Sequence, residues 1–318
     1  MMEAYLVYGN AVRSEIPLNA PSASWALDLT YDFVARSNPP SDQYVDWVHT
    51  YRSGDGSPWM ELGIGQNKTL FRFPEKAEFC CSGPLELGDS ALTVVECFLH
   101  HNTGAETVRH LFLNQVLPDL IAAKGSIVVH AGAVEIDDFA IGFLGRSGIG
   151  KTTLVTKFIT SGFRCLTDDV LRLDRSGNKF LAIPSYPVIR LTADQAEVLL
   201  GPDVLLTDVA DYSHKRAAFV ASDQFCPEAR ELNCCYFLSP SEDLKEISIE
   251  DVTEREACVE VVQQTFRLNP HDGNLLRDEF ERIQRLTASV PFFRIHYPLG
   301  NSFLQSLMDT MVDHARNH

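Results

Sequence analysis

No stretch of the 318-residue chain approaches the roughly eighteen consecutive apolar residues of a membrane helix, and the N-terminus, MMEAYLVYGNAVRSE, lacks a basic segment followed by an apolar one. A helical membrane span and a secretory signal are therefore not indicated, and the expected location is the cytoplasm. Basic residues are scarce: 27 Lys and Arg face 43 Asp and Glu, a formal net charge of −16. A general nucleic-acid binder needs a basic footprint for phosphates, so that class is excluded. The acidity aids solubility and would attract a basic peptide. None of the eight cysteines (Cys80, Cys81, Cys97, Cys165, Cys226, Cys234, Cys235, Cys258) forms a C-x-x-C pair, which argues against zinc and redox motifs. Adjacent pairs in apolar runs, such as Cys234-Cys235, read as strand residues on opposite faces and as buried thiols of a reducing compartment. No internal repeat or low-complexity segment is present.

What the chain does have is Ile141–Leu154, IGFLGRSGIGKTTL: a buried strand, a glycine-rich turn and the first turn of a helix. Gly145, Gly150, Lys151 and Thr152 fit G-x-x-x-x-G-K-[ST], the loop whose backbone N–H groups wrap a polyphosphate. Arg146, Ser147, Gly148, Ile149 and Thr153 complete the expected nucleotide-binding segment. A Cβ at the glycines would block both left-handed backbone angles and close approach to phosphate. Lys151 would put a charge on the terminal phosphates, Thr152 would ligate Mg²⁺, and the helix N-terminus would favour the anion.

Residues 1–104 alternate β-type runs (YLVYGNAV, YVDWVHTY, TLFRFP, AEFCCS, LTVVECFLHH) with turn clusters such as Asn38-Pro39-Pro40 and Ser53-Gly54-Asp55-Gly56. This predicts an antiparallel β-rich N-terminal region, 1–104, followed by a second domain over 105–318. Val108, Leu111, Phe112, Val116, Leu120 and Ile121 predict an amphipathic helix that Pro118 kinks or breaks and Gly125 ends. GSIVVHAGAVEIDDFAIGFLG reads as a hairpin turning at Asp137-Asp138, its second strand delivering the phosphate loop. His130 lies in the first of these strands, where a histidine is as a rule a satisfied core residue. FRCLTDDVLRLD reads as a strand interrupted by Asp168 and Asp169. Two adjacent carboxylates in an apolar run are costly to bury without cations or hydrogen bonds, so a metal or catalytic role competes with a simple turn. Lys215 and Arg216 form a basic pair, solvated surface by default and a charge-neutralising pair if beside a triphosphate. Helices are predicted over 255–265 and 273–286. The strand FFRIHY follows, then a final helix capped by Asn301 or Ser302.

Taken together, VVHAGAVEID, GRSGIGKT and LTDDV resemble the bacterial HPr kinase/phosphorylase superfamily, most strongly over residues 125–173. YGNAVRSEIPL, PSYPVIRL, HKRAAF and FRIHYP extend the likeness to the HPr-kinase-like proteins that accompany lasso-peptide biosynthesis, which phosphorylate a serine at the C-terminal end of the precursor peptide. The N-terminal region differs from that of the HPr kinases, and no E-I-R-G segment is recognisable after the phosphate loop.

The resemblance implies a mixed α/β (α+β) fold: a phosphoenolpyruvate-carboxykinase-like P-loop core, a β-rich N-terminal region and C-terminal helices. It further implies ATP and Mg²⁺ as cofactors, a serine-bearing peptide or small protein as partner, no membrane partner, and a homo-oligomer. On it, residues 145–152 hold the phosphates, Asp168 is the general base with His130 setting its orientation or charge, Thr152 and Asp169 bind Mg²⁺, and Lys215 and Arg216 contact the phosphoryl group or acceptor. The alternatives are HPr kinase/phosphorylase proper, a small-molecule kinase, and a nucleotide-binding switch without catalysis.

Overall fold

The computed structural model describes residues 2–23, 29–38, 42, 45–83, 85, 88, 91–101 and 103–318. The Pro39-Pro40 break and Tyr44, which opens the predicted YVDWVHTY run, lie outside these residues. Two compact units emerge: one comprises 1–126 with 208–213 and 267–277, the other 127–207, 214–266 and 278–318. The division falls after Ser126, not at the predicted 104/105, because the helical stretch that follows the first strands packs with them.

In the first unit eight strands form one sheet: β1 (Glu3–Val7), β2 (Asn10–Ser14), β3 (Leu29–Arg36), β4 (Val45–Arg52), β5 (Pro58–Gly65), β6 (Lys68–Phe73), β7 (Ala77–Ser82) and β8 (Thr93–Leu99), in the order β1-β2-β3-β8-β7-β6-β5-β4. Tyr8 and Gly9, at φ 50° and 70°, make the tight turn between β1 and β2, the left-handed pair that matches strand twist. The sheet is mixed, a correction to the antiparallel expectation: β2–β3 and β3–β8 are parallel. Such pairs need a connection longer than a hairpin.

Helix α1 (Ala105–Leu111) passes through a π-turn (Phe112–Val116) into α2 (Leu117–Ala123). The predicted effect of Pro118 is thus a π-turn just before it: proline has no N–H to give and crowds the carbonyl four residues back, so the helix widens there instead of ending. Phe112 stacks on Phe33 of β3 at 4.0 Å between centroids, tying helix to sheet.

The second unit opens with the predicted hairpin, β9 (Ile127–Ile136) and β10 (Phe139–Leu144), with Asp137 at φ 52° in the turn. Then come α3 (Lys151–Thr160), β11 (Arg164–Thr167), β12 (Val170–Ser176), β13 (Lys179–Ile183), β14 (Val188–Leu191) and α4 (Ala193–Leu200), and the chain leaves the unit through β15 (Leu206–Asp208). It returns as β16 (Arg216–Phe219), β17 (Arg230–Ser241), β18 (Ser248–Val252), α5 (Glu254–Val262), the later part of α6 (Gly273–Ser289), β19 (Phe292–Pro298) and α7 (Leu304–Arg316).

The main sheet runs β10-β9-β12-β13-β17-β19-β18, with β17 also pairing with β10 in parallel. One face buries Leu154 and Phe158 of α3 and Met308 and Met311 of α7; the other buries Ala257 and Val261 of α5 and Ile283 and Leu286 of α6. Cys234 belongs to the first core and Cys235 to the second, as strand alternation requires. Asn301 and Ser302 do not cap α7. They lie in a 3-10 turn, and Phe303 precedes the helix without a side-chain cap.

Candidate phosphoryl-transfer site

The chain leaves β10 at Leu144 and enters α3 at Lys151, with Gly145, Gly148 and Gly150 at φ 147°, 82° and 107°. Side-chain-bearing residues rarely adopt such angles, so glycine is needed for the loop to curl over the helix N-terminus. Arg146, Ser147 and Gly148 are exposed at the tip, Ile149, Thr152 and Thr153 are half-buried, and Lys151 is buried. The Lys151 ammonium donates to the Gly145 carbonyl at 2.6 Å and the Arg146 carbonyl at 3.3 Å, so its charge lies along the inside of the loop. Burial pulls the Lys151 pKa down, and Asp169 works against that shift.

The acid pair occupies the bend between β11 and β12, just after the pairing with β9 shifts register between Cys165 and Thr167. The Asp169 carbonyl accepts from the Ala131 amide of β9 at 3.0 Å, and Val170 faces His130 across the ladder. This join brings the histidine strand and the acids together. Both carboxylates approach Arg190 Nη2, Asp168 Oδ1 at 2.6 Å and Asp169 Oδ2 at 3.6 Å, but they differ in burial. Asp168 turns inward: its side chain is 2% exposed, against 37% for Asp169.

Burial raises the Asp168 pKa, with Arg190 opposing. Burial also acts to raise Asp169, but Arg190, His130, Lys215 and Lys151 outweigh it and hold that carboxyl below the usual range. His130 is pushed down by burial, with Asp169 acting to raise it, and its ring lies 4.0 Å from that of Phe266 between centroids. His130, Lys151, Asp168, Asp169 and Lys215 therefore share one electrostatic neighbourhood. Arg216 Nη2 donates to the Leu206 carbonyl at 3.5 Å.

Sequence reasoning missed Arg190. It sits in β14 between Ile189 and Leu191, buried, and donates to both Asp168 oxygens: Nη2 to Oδ1 at 2.6 Å and the backbone amide to Oδ2 at 3.0 Å. Its Nη1 donates to the Tyr186 hydroxyl at 3.1 Å, and Nη2 is 3.6 Å from Asp169 Oδ2. A lone arginine in an apolar four-residue strand was the available signal, since a buried guanidinium requires a counter-ion.

No family model matches the chain, and no curated protein matches it. Among solved structures it is similar to the Hpr(Ser) kinase/phosphatase from Coxiella burnetii, at 14% identity and a TM-score of 0.34, over 60% of this chain and 97% of that one. A similarity of that grade assigns no residue a role. Among the described residues, no helix is long and apolar enough to cross a membrane.

Proposed function

We propose that the chain is an ATP-dependent kinase that passes the γ-phosphate to a serine hydroxyl of a peptide, and that its substrate is a lasso precursor peptide phosphorylated at the serine near its C-terminus. The observation that carries this reading is the convergence of a glycine loop of phosphate-cradling form, a buried lysine and a half-exposed carboxylate in one neighbourhood. Phosphoryl transfer needs little more: in-line positioning, cancellation of charge on the phosphate oxygens, and a destination for the hydroxyl proton.

In this reading the amides of residues 145–152 and the N-terminus of α3 receive the β- and γ-phosphates. Lys151 exchanges its loop carbonyls for phosphate oxygens, and Lys215 adds positive charge from the acid side. The Thr152 hydroxyl at the start of α3 and the half-exposed Asp169 carboxylate are hard oxygens that would suit Mg²⁺ alongside phosphate oxygens and water. When bound, it would neutralise charge on the transferring group. The serine proton goes to the acid pair, beside which His130 stays neutral near pH 7 because burial lowers its pKa.

Intact-mass measurement tests the reading. A serine precursor peptide and HPr, each incubated with the protein, ATP and Mg²⁺, should give one phosphorylated peptide and unmodified HPr. Phospho-HPr alone would make the chain an HPr kinase instead.

A further inference from the structure

The register of the main sheet carries Tyr297 past the end of β10, to the level of the glycine loop. Leu144, which ends β10, lies beside Phe237 of β17, and Pro240, further along β17, lies beside Tyr297 of β19. That advance along an extended chain is roughly 10 Å. Tyr297 is 7% exposed, its ring belongs to the core that α3 and α7 cover, and Ile149 of the loop packs against the same core. Its hydroxyl donates to the Ile149 carbonyl at 3.5 Å, and a Cβ built on Gly150 would lie 3.9 Å from that oxygen. Burial pushes the Tyr297 pKa up to about 12, so the hydroxyl keeps its proton and acts as the donor.

The contact fixes more than one atom. In a trans peptide the carbonyl of one residue and the amide of the next point in opposite directions. With the Ile149 carbonyl turned toward the core, the Gly150 N–H is turned away from it, to the outer side of the loop. The next donors along the chain are the amides of Lys151 and Thr152, which open α3 and have no acceptor within the helix. Gly150 is held from its other end too, because its carbonyl accepts from the Leu154 amide at 2.9 Å. Rotation of the Ile149–Gly150 peptide would put a carbonyl where the cradle needs a donor. Gly150, at φ 107°, has no Cβ to resist that rotation.

Resting on the nucleotide-binding part of the kinase reading, we propose that Tyr297 is a positioning residue of the phosphate loop: its hydroxyl holds the Ile149–Gly150 peptide so that the Gly150 amide faces the polyphosphate. It touches neither the nucleotide nor the acceptor. Its effect is on how tightly the phosphates are held, and the chemical step makes no use of it.

Tyr297→Phe keeps the ring in the core and removes only the hydroxyl. Tyr236→Phe is the control: it removes a buried hydroxyl of β17 that lies in the same core, 2.8 Å from His314 Nδ1. Each protein is titrated calorimetrically with two probes, ATP and inorganic tripolyphosphate, at fixed Mg²⁺. Tyr297→Phe should weaken both by the same factor, about 3- to 10-fold, the size of one hydrogen bond, and Tyr236→Phe should weaken neither. In peptide transfer the KM for ATP should rise by that factor, with kcat within about twofold of wild type, as for an interaction made equally in the ground and transition states. Unchanged affinity for tripolyphosphate, or a loss confined to ATP, would overturn the assignment.

A second arm needs no ligand. Amide hydrogen exchange in the free protein should quicken at Leu154 and Ile149, whose amides donate to the Gly150 and Arg146 carbonyls, in Tyr297→Phe and not in Tyr236→Phe. If wild type binds neither ATP nor tripolyphosphate, the kinase reading fails by itself. The exchange rates still decide whether Tyr297 holds the peptide, and equal rates in wild type and Tyr297→Phe would refute the proposal.

Discussion

Arg190 supplies both hydrogen bonds that Asp168 receives, one from its side chain at 2.6 Å and one from its own amide at 3.0 Å. Two buried charges thus cancel between the β11–β12 bend and strand β14. Removing one partner leaves the other desolvated and alone, the situation in which a buried ion pair has its greatest effect on stability. Arg190→Ala should destabilise the fold by about 3–5 kcal/mol, measured by urea unfolding. Adding Asp168→Asn to it should recover part of that loss, because the stranded carboxylate is then gone.

Gly132 of β9 lies under helix α3, and a Cβ there would meet Val155 Cγ2 at 2.7 Å. Both atoms sit in a packed core, so the helix must shift to make room. Gly132→Ala should cost about 1–3 kcal/mol and weaken ATP binding, since α3 carries Lys151 and Thr152 at its start. Val155→Ala should relieve the clash, and a double-mutant cycle on unfolding free energy would show a favourable coupling between the two substitutions.

In the first unit, burial pushes the Asp119 carboxyl up to about 7 from an ordinary value of 3.8, with Arg267 opposing. A folded value above the unfolded one means that the fold holds a proton which the unfolded chain has released over that window. The resulting stability is complete below pH 4 and is lost as pH rises through 7, by on the order of 4 kcal/mol at most. Asp119→Asn carries no charge at any pH. It should raise the melting temperature at pH 8 relative to wild type and narrow that gap at pH 5. His130 acts in the opposite sense, losing stability as pH falls below 6.5 because its folded value is lowered, and it cancels in the difference between the two proteins.

All eight cysteines are free and buried among the described residues, and burial raises the thiol pKa of Cys81, Cys97, Cys165, Cys234 and Cys235. The thiolate is the reactive form. Ellman's reagent should therefore react slowly with the native protein and rapidly with all eight thiols in denaturant.

The hairpin, the glycine loop between β10 and α3, and the acid pair were legible because their signals are local: a turn pair of aspartates, glycines where the backbone must be left-handed, and two carboxylates in an apolar run. Helix α4 carries a local signal of the same kind, the capping box of Thr192 and Gln195. What could not be read is long-range. Nothing near Arg190 in the chain announces a partner at Asp168, 22 residues away, and the same holds for Glu135, which accepts from Arg164 and Arg230. The parallel pairs of the first sheet were hidden for the same reason, since strand direction depends on where the connection travels. The split of the acid pair lies between these cases. Adjacency put the two carboxylates in one place, and only the fold showed which one turns inward.

The most direct test of the account is transfer of ³²P from [γ-³²P]ATP to a serine peptide, run beside the same peptide with alanine at the acceptor position. The account predicts Mg²⁺-dependent label on the serine peptide and none on the alanine peptide. ATP binding without label on any acceptor, and without hydrolysis, would contradict it and leave a nucleotide-binding switch.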